Sequence, residues 1–87
     1  MIRAESVKPL KNFLILIKFT NGEIKVYNCY PLLNYNLFKN LKNEQFFNTV
    51  HLDDMGLVCW DDATDIEPNE LYNNSESVEN FTANAFV

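Results

Sequence analysis

The sequence predicts one small α+β domain: a small antiparallel sheet built from two hairpins, with one or two short helices. Three observations carry this. Asn21-Gly22 separates two runs rich in β-branched and aromatic residues. A second pair of short apolar runs brackets Asp53-Asp54-Met55-Gly56. Leucines at four-residue spacing (Leu33, Leu37, Leu41) and the segment from Ile66 to Tyr72 add helical signals. At 87 residues the chain suits a single domain, expected to span 1–74, with 75–87 as an acidic and polar tail. A chain of this size buries only about 60% of its unfolded surface, so the core is small. Seven Phe, four Tyr and one Trp are enough to fill it.

The first strand is expected within Ile2–Leu10, with Pro9 confining it to an edge or ending it. The runs Phe13–Thr20 and Glu23–Tyr30 follow. Asn-Gly between such runs is a strong hairpin signal, because a type I′ turn needs positive φ at both central residues. A two-residue loop would set Phe19 against Ile24, Ile17 against Val26, Ile15 against Asn28 and Phe13 against Tyr30. These residues would form the core face. The other face would carry Leu14, Leu16, Tyr27 and Cys29, an apolar patch in need of cover by a strand, a helix or a second copy.

Pro31 ends this hairpin. The leucine spacing then predicts a short amphipathic helix, interrupted near Asn34-Tyr35-Asn36. Glu44–Phe47 reads as a further turn with Asn43 as N-cap. Thr49–Leu52 and Leu57–Trp60 read as the second hairpin, with Gly56 at positive φ. The stretch after Trp60 reads as a loop. Pro68 suits the first turn of a last helix, for which Asp65 is a candidate cap. Asn73–Glu79 reads as a linker, and 81–87 as a frayed tail or a partner-bound segment.

The order of these signals resembles the bacterial family of domains of unknown function numbered 2442. The residues that carry the resemblance are Val7-Lys8-Pro9, Phe19-Thr20-Asn21-Gly22-Glu23, Pro31-Leu32-Leu33, Phe38-Lys39-Asn40-Leu41, a following Phe46 or Phe47, and Trp60 before Asp65-Ile66-Glu67-Pro68-Asn69-Glu70-Leu71-Tyr72. It covers roughly 2–74, and a common Asp of that family is here Asn28. The resemblance implies a compact α+β fold and no known activity. It also implies the company of small toxin-like neighbours, an association rather than a mechanism.

Charge limits the functions available. The net charge is −5, and no Lys or Arg follows Lys42. Nucleic-acid binding needs clustered cations, and Lys8, Lys11, Lys18 and Lys25 are few. The acidic second half is a solubilising surface or a dock for a basic partner. No apolar run is long enough to span a bilayer. Cys29 and Cys59 read as free thiols of a reduced, cytoplasmic protein, so the sequons at Asn73 and Asn80 carry no meaning.

Catalytic chemistry finds little support. The only His is His51, and Ser occurs only at 6, 75 and 77. A Cys59–His51 pair is conceivable, but Cys59 packing inward with His51 toward solvent is favoured. Asp53, Asp54, Asp61, Asp62 and Asp65 offer hard oxygen ligands, although no calcium-loop spacing is present. Turn and cap roles explain them better. Trp60 reads as a core anchor whose indole N–H reaches a carbonyl. The expectation is therefore a non-catalytic protein-interaction module, without cofactor or metal, binding a protein partner or itself, and antitoxin-like or accessory to a neighbouring gene product. The alternatives are a ligand- or metal-binding acidic hairpin and an accessory domain of a transcriptional regulator.

Overall fold

The computed structural model describes residues 1–80. The chain forms two antiparallel sheets and a few short helices. The larger sheet has the order β1-β2-β3-β7, from β1 (Ala4–Pro9), β2 (Leu14–Phe19), β3 (Ile24–Asn28) and β7 (Glu76–Ser77). The smaller has the order β4-β5-β6, from β4 (His51–Leu52), β5 (Val58–Asp61) and β6 (Thr64–Asp65). Two 3-10 segments, Tyr30–Asn34 and Asn36–Lys42, and α1 (Glu44–Phe47) link the sheets, and α2 (Pro68–Asn74) returns to the first. Among the described residues, no helix is long and apolar enough to cross a membrane.

The first hairpin, between β1 and β2, turns at Asn12 and Phe13, both at positive φ (63° and 64°). Asn tolerates this conformation; a bulky Phe rarely adopts it. The Phe13 ring packs edge-on to Phe47 at 5.8 Å and tilted against Tyr30 at 6.1 Å, contacts that hold the residue there. As expected, β1 is an edge strand ended by Pro9.

The hairpin between β2 and β3 forms, but with three loop residues instead of two. The Phe19 amide donates to the Glu23 carbonyl at 2.8 Å, and the Gly22 amide donates to the Phe19 carbonyl at 2.9 Å. Only Gly22 has positive φ (89°); Asn21 does not. A turn followed by a left-handed glycine needs one such residue where type I′ needs two. Asn21 instead uses its side chain, accepting the Glu23 amide at 3.0 Å.

This extra residue shifts the register by one. Ile15 pairs with Tyr27, Leu16 with Val26 and Ile17 with Lys25. A one-residue shift exchanges every side chain of a strand between faces. On β2 the expected faces hold: Ile15, Ile17 and Phe19 are buried in the core. On β3 they are exchanged. Tyr27 (4% exposed) and Cys29 (0%) belong to the core, whereas Ile24 (43%) and Tyr30 (63%) are exposed. Val26, paired with Leu16, lies on the outer face.

Between the two layers, Leu41, Phe47, Val50, Val58, Trp60, Ile66 and Leu71 complete the core. The helical connector departs from the leucine spacing. It breaks at Tyr35, whose backbone is extended. Leu37 is exposed, while Phe38 and Leu41 face the core. A three-residue step suits a 3-10 helix, in which side chains at i and i+3 align.

Further expectations hold locally. Asn43 caps α1, accepting the Phe46 amide at 3.1 Å. Gly56 closes the β4–β5 turn at φ 82°. Three do not hold. The loop after Trp60 contains β6, paired with β5. The cap of α2 is Glu67, which accepts the Glu70 amide at 2.9 Å, not Asp65. The stretch read as a linker contains β7, where Lys25 pairs with Ser77 and Val26 with Glu76. The sheet thus extends past residue 74, the expected end of the domain. The expected tail at 81–87 lies outside the described residues.

Candidate interaction surface

The hairpin register decides which apolar side chains leave the core. On the outer face of the larger sheet, Leu14 and Leu16 of β2 stand beside Ile24 and Val26 of β3. Leu14 and Leu16 are half-buried and Val26 is buried, yet none belongs to the core cluster. Lys18 lies on the same face and pairs with Glu5 at 3.6 Å. Lys8 stands opposite Leu16. Of the four residues expected to share this face, Leu14 and Leu16 lie on it, whereas Tyr27 and Cys29 lie in the core. Ile24 and Val26 take their places on the outer face. The three-residue loop is what conceals this from the sequence, because Asn-Gly serves both loop lengths.

The two displaced residues have structural work. The Tyr27 hydroxyl donates to Glu70 at 3.1 Å, tying the sheet to α2. Burial, that hydrogen bond and the Glu70 charge all push its pKa upward. Burial pushes the Cys29 thiol up to about 12, so it stays protonated.

At the hairpin tip, two of the sequence signals meet. The Tyr72 hydroxyl donates to the Glu23 carboxylate, which also accepts from the Asn21 amide. These bonds hold the Glu23 carboxyl below its usual range, Tyr72 contributing most. Lys25, on the core face, donates to the Tyr72 carbonyl at 3.0 Å and lies 3.9 Å from that ring's centre. Phe19 meets the same ring edge-on at 5.0 Å. The Phe-x-x-Gly-Glu and Leu-Tyr segments are thus two halves of one clamp that docks α2 on the first sheet. Lys25 is engaged there and cannot join Lys8 and Lys18 in a basic patch.

The β4–β5 hairpin brings Cys59 and His51 together as cross-strand partners. His51 Nε2 lies 3.5 Å from Cys59 Sγ, and Nδ1 lies 2.8 Å from the Thr49 carbonyl. That carbonyl can only accept, so Nδ1 carries the proton and Nε2 faces the thiol. Cys59 is buried and His51 exposed, the favoured arrangement, though the two touch. Burial, with the charges of Asp53, Asp65, Asp62 and Asp61, raises the Cys59 pKa. A thiol held in its protonated form is a poor nucleophile.

Two of the acidic residues, Asp53 and Asp61, serve turns. Asp53 accepts the Met55 and Leu57 amides at 2.8 and 3.0 Å, and Asp61 accepts the Ala63 amide at 3.0 Å. Among the described residues, no group of three or more His, Cys, Asp or Glu is placed to hold a metal ion. Trp60 is a core anchor as expected: its indole N–H donates to the Phe47 carbonyl at 2.9 Å.

Comparison with curated proteins and with solved structures finds no match. The DUF2442 pattern, described as a protein of unknown function, matches residues 4–77. That interval runs from the first residue of β1 to the last of β7, so both sheets and the Glu23–Tyr72 clamp fall inside it. The chain belongs to the DUF2442 family.

Proposed function

We propose that this domain is a non-catalytic protein-interaction module that acts through the outer face of its larger sheet. The observation that supports the reading is the apolar group Leu14, Leu16 and Ile24, half-buried or exposed on the outer face beside the buried Val26. Apolar residues gathered on a sheet face are typical of association sites. The state of Cys59 supports the non-catalytic part: His51 faces a thiol whose pKa is raised by burial first and by acidic neighbours second. The module is a cytoplasmic bacterial protein, binding a protein partner or a second copy, in the manner of an antitoxin or an accessory component of a two-gene system.

Native mass spectrometry of the full chain, purified with its neighbouring gene products, tests this. A dimer or a complex is expected, lost in Leu16→Lys while circular dichroism shows an intact fold. A strict monomer with no co-purifying protein overturns the reading.

A further inference from the structure

A second apolar feature lies away from the outer face. Between the start of β1, the β4–β5 turn and α2 is a cavity of about 210 Å³. Its floor is formed by Phe19, Val58, Ile66 and Leu71, all core residues. Met55, which is 76% exposed, and the exposed Arg3 stand at its mouth. The core is thus open to the surface at this point.

Size, polarity and charge each limit the occupant. A dry apolar cavity of about 150 Å³ holds benzene, so this one takes an apolar body of about six to nine carbons. The floor offers no hydrogen-bonding side chain, so a polar group on the occupant must stay at the mouth. Among the described residues no acidic side chain lines the cavity, and the ionisable side chain that does is Arg3. Its backbone is fixed: the amide donates to Thr20 Oγ1 at 3.1 Å, and the carbonyl accepts the Thr20 amide at 2.8 Å. Its guanidinium is in no ion pair among the described residues. Glu5 pairs with Lys18 at 3.6 Å instead. Asp54 shares an adjoining groove with Arg3 but forms no ion pair with it. An uncommitted guanidinium is a strong partner for a carboxylate.

We infer that this cavity binds a small carboxylic acid, with an apolar body of about six to nine carbons inside it and the carboxylate on Arg3. Burial supplies the affinity, and Arg3 selects an anion. Met55 adapts its flexible side chain to the shape that enters. This goes beyond the sheet-face reading and does not rest on it.

NMR titration of the full chain with 3-phenylpropionate tests the inference, read on the methyl signals of Val58, Ile66 and Leu71. Those signals should shift and saturate with a Kd of order 0.1–1 mM, as suits a ligand of about eleven heavy atoms. The neutral 3-phenylpropanol should bind about three- to ten-fold more weakly, because it lacks the charge. The cationic 3-phenylpropylamine should bind more weakly still. Propionate, which keeps the charge and lacks the ring, should give no saturable shift below about 10 mM. In Arg3→Gln, a change at an exposed side chain, acid and alcohol should bind equally, with the alcohol's affinity as in the parent. Leu16→Lys on the outer sheet face should leave both affinities unchanged. The inference is overturned by the absence of saturable methyl shifts, by alcohol or amine binding as tightly as the acid, or by saturable binding of propionate. It is equally overturned by a preference for acid over alcohol that survives Arg3→Gln, or by loss of affinity in Leu16→Lys.

Discussion

Replacing Gly22 with alanine, and separately Asn21 with glycine, tests the register on which the outer face depends. Gly22 sits at φ 89°, and a Cβ there would meet nothing within 4 Å. The cost of Gly22→Ala is therefore one of backbone conformation alone, about 1–2 kcal/mol. For a domain of this size that lowers Tm by roughly 4–8 °C per kcal/mol. Asn21→Gly separates the two possible loops by sign. In a type I′ turn, position 21 would need positive φ, and glycine would be neutral or stabilising. In the observed loop, φ at Asn21 is not positive. Glycine there adds freedom to the unfolded chain and removes the hydrogen bonds to Glu23, for a loss of about 1–2 kcal/mol. Urea denaturation of both variants at a common m-value is the assay. A stabilising Asn21→Gly, or a Gly22→Ala within about 0.5 kcal/mol of the parent, would refute the three-residue loop. The assignment of Ile24 and Val26 to the outer face would fall with it.

Further outcomes follow from the core and the clamp. Trp60→Phe should cost about 1–3 kcal/mol in urea denaturation, less than the ~3–5 kcal/mol of Trp60→Ala, because the Phe47 carbonyl still accepts the Val50 amide at 3.3 Å. From neutral pH the Cys29 contribution to stability should be constant up to about pH 9, then be lost as pH rises toward 12, since the buried thiol has its pKa raised and the folded state favours its protonated form. Cys29→Ala should make that alkaline decline shallower in pH-dependent unfolding, and an unaltered slope would remove Cys29 from the account. In Tyr72→Phe, the Glu23 carboxyl should titrate closer to its ordinary value by NMR, because the hydroxyl is the largest cause of its depression. Asn12→Gly should be neutral or stabilising by up to about 1 kcal/mol, because glycine adopts φ 63° without strain; a clear loss of stability would contradict that backbone.

Local chemistry made much of this fold legible. Asn43 reads as a cap because its side chain competes for a backbone amide three residues on, and it does so. Gly56 and Pro68 mark their turn and helix start because few residues suit those backbones. Trp60 reads as an anchor because an indole that large must bury its ring and satisfy one N–H. The alternation of Ile15, Ile17 and Phe19 placed the core face of β2 without reference to any partner. In each case the determining interaction lies within a few residues along the chain.

Distance along the chain decided the rest. Whether Asn21-Gly22 closes a two- or three-residue loop depends on which face of β3 the other layer covers, since both loops satisfy the local pattern. The Tyr27–Glu70 and Glu23–Tyr72 contacts span 43 and 49 residues. They reward the observed register by giving Tyr27 and Glu23 partners on α2. Two-residue strands such as β6 and β7 have almost no pattern of their own and exist because a neighbouring strand edge offers hydrogen bonds. Phe13 holds a backbone that its side chain disfavours because Phe47 and Tyr30 receive its ring. The sequence by itself determined the longer strands, the inner face of β2 and the family. Tertiary structure alone decided which side chains of β3 face outward, because that choice is made by contacts with residues more than forty positions away.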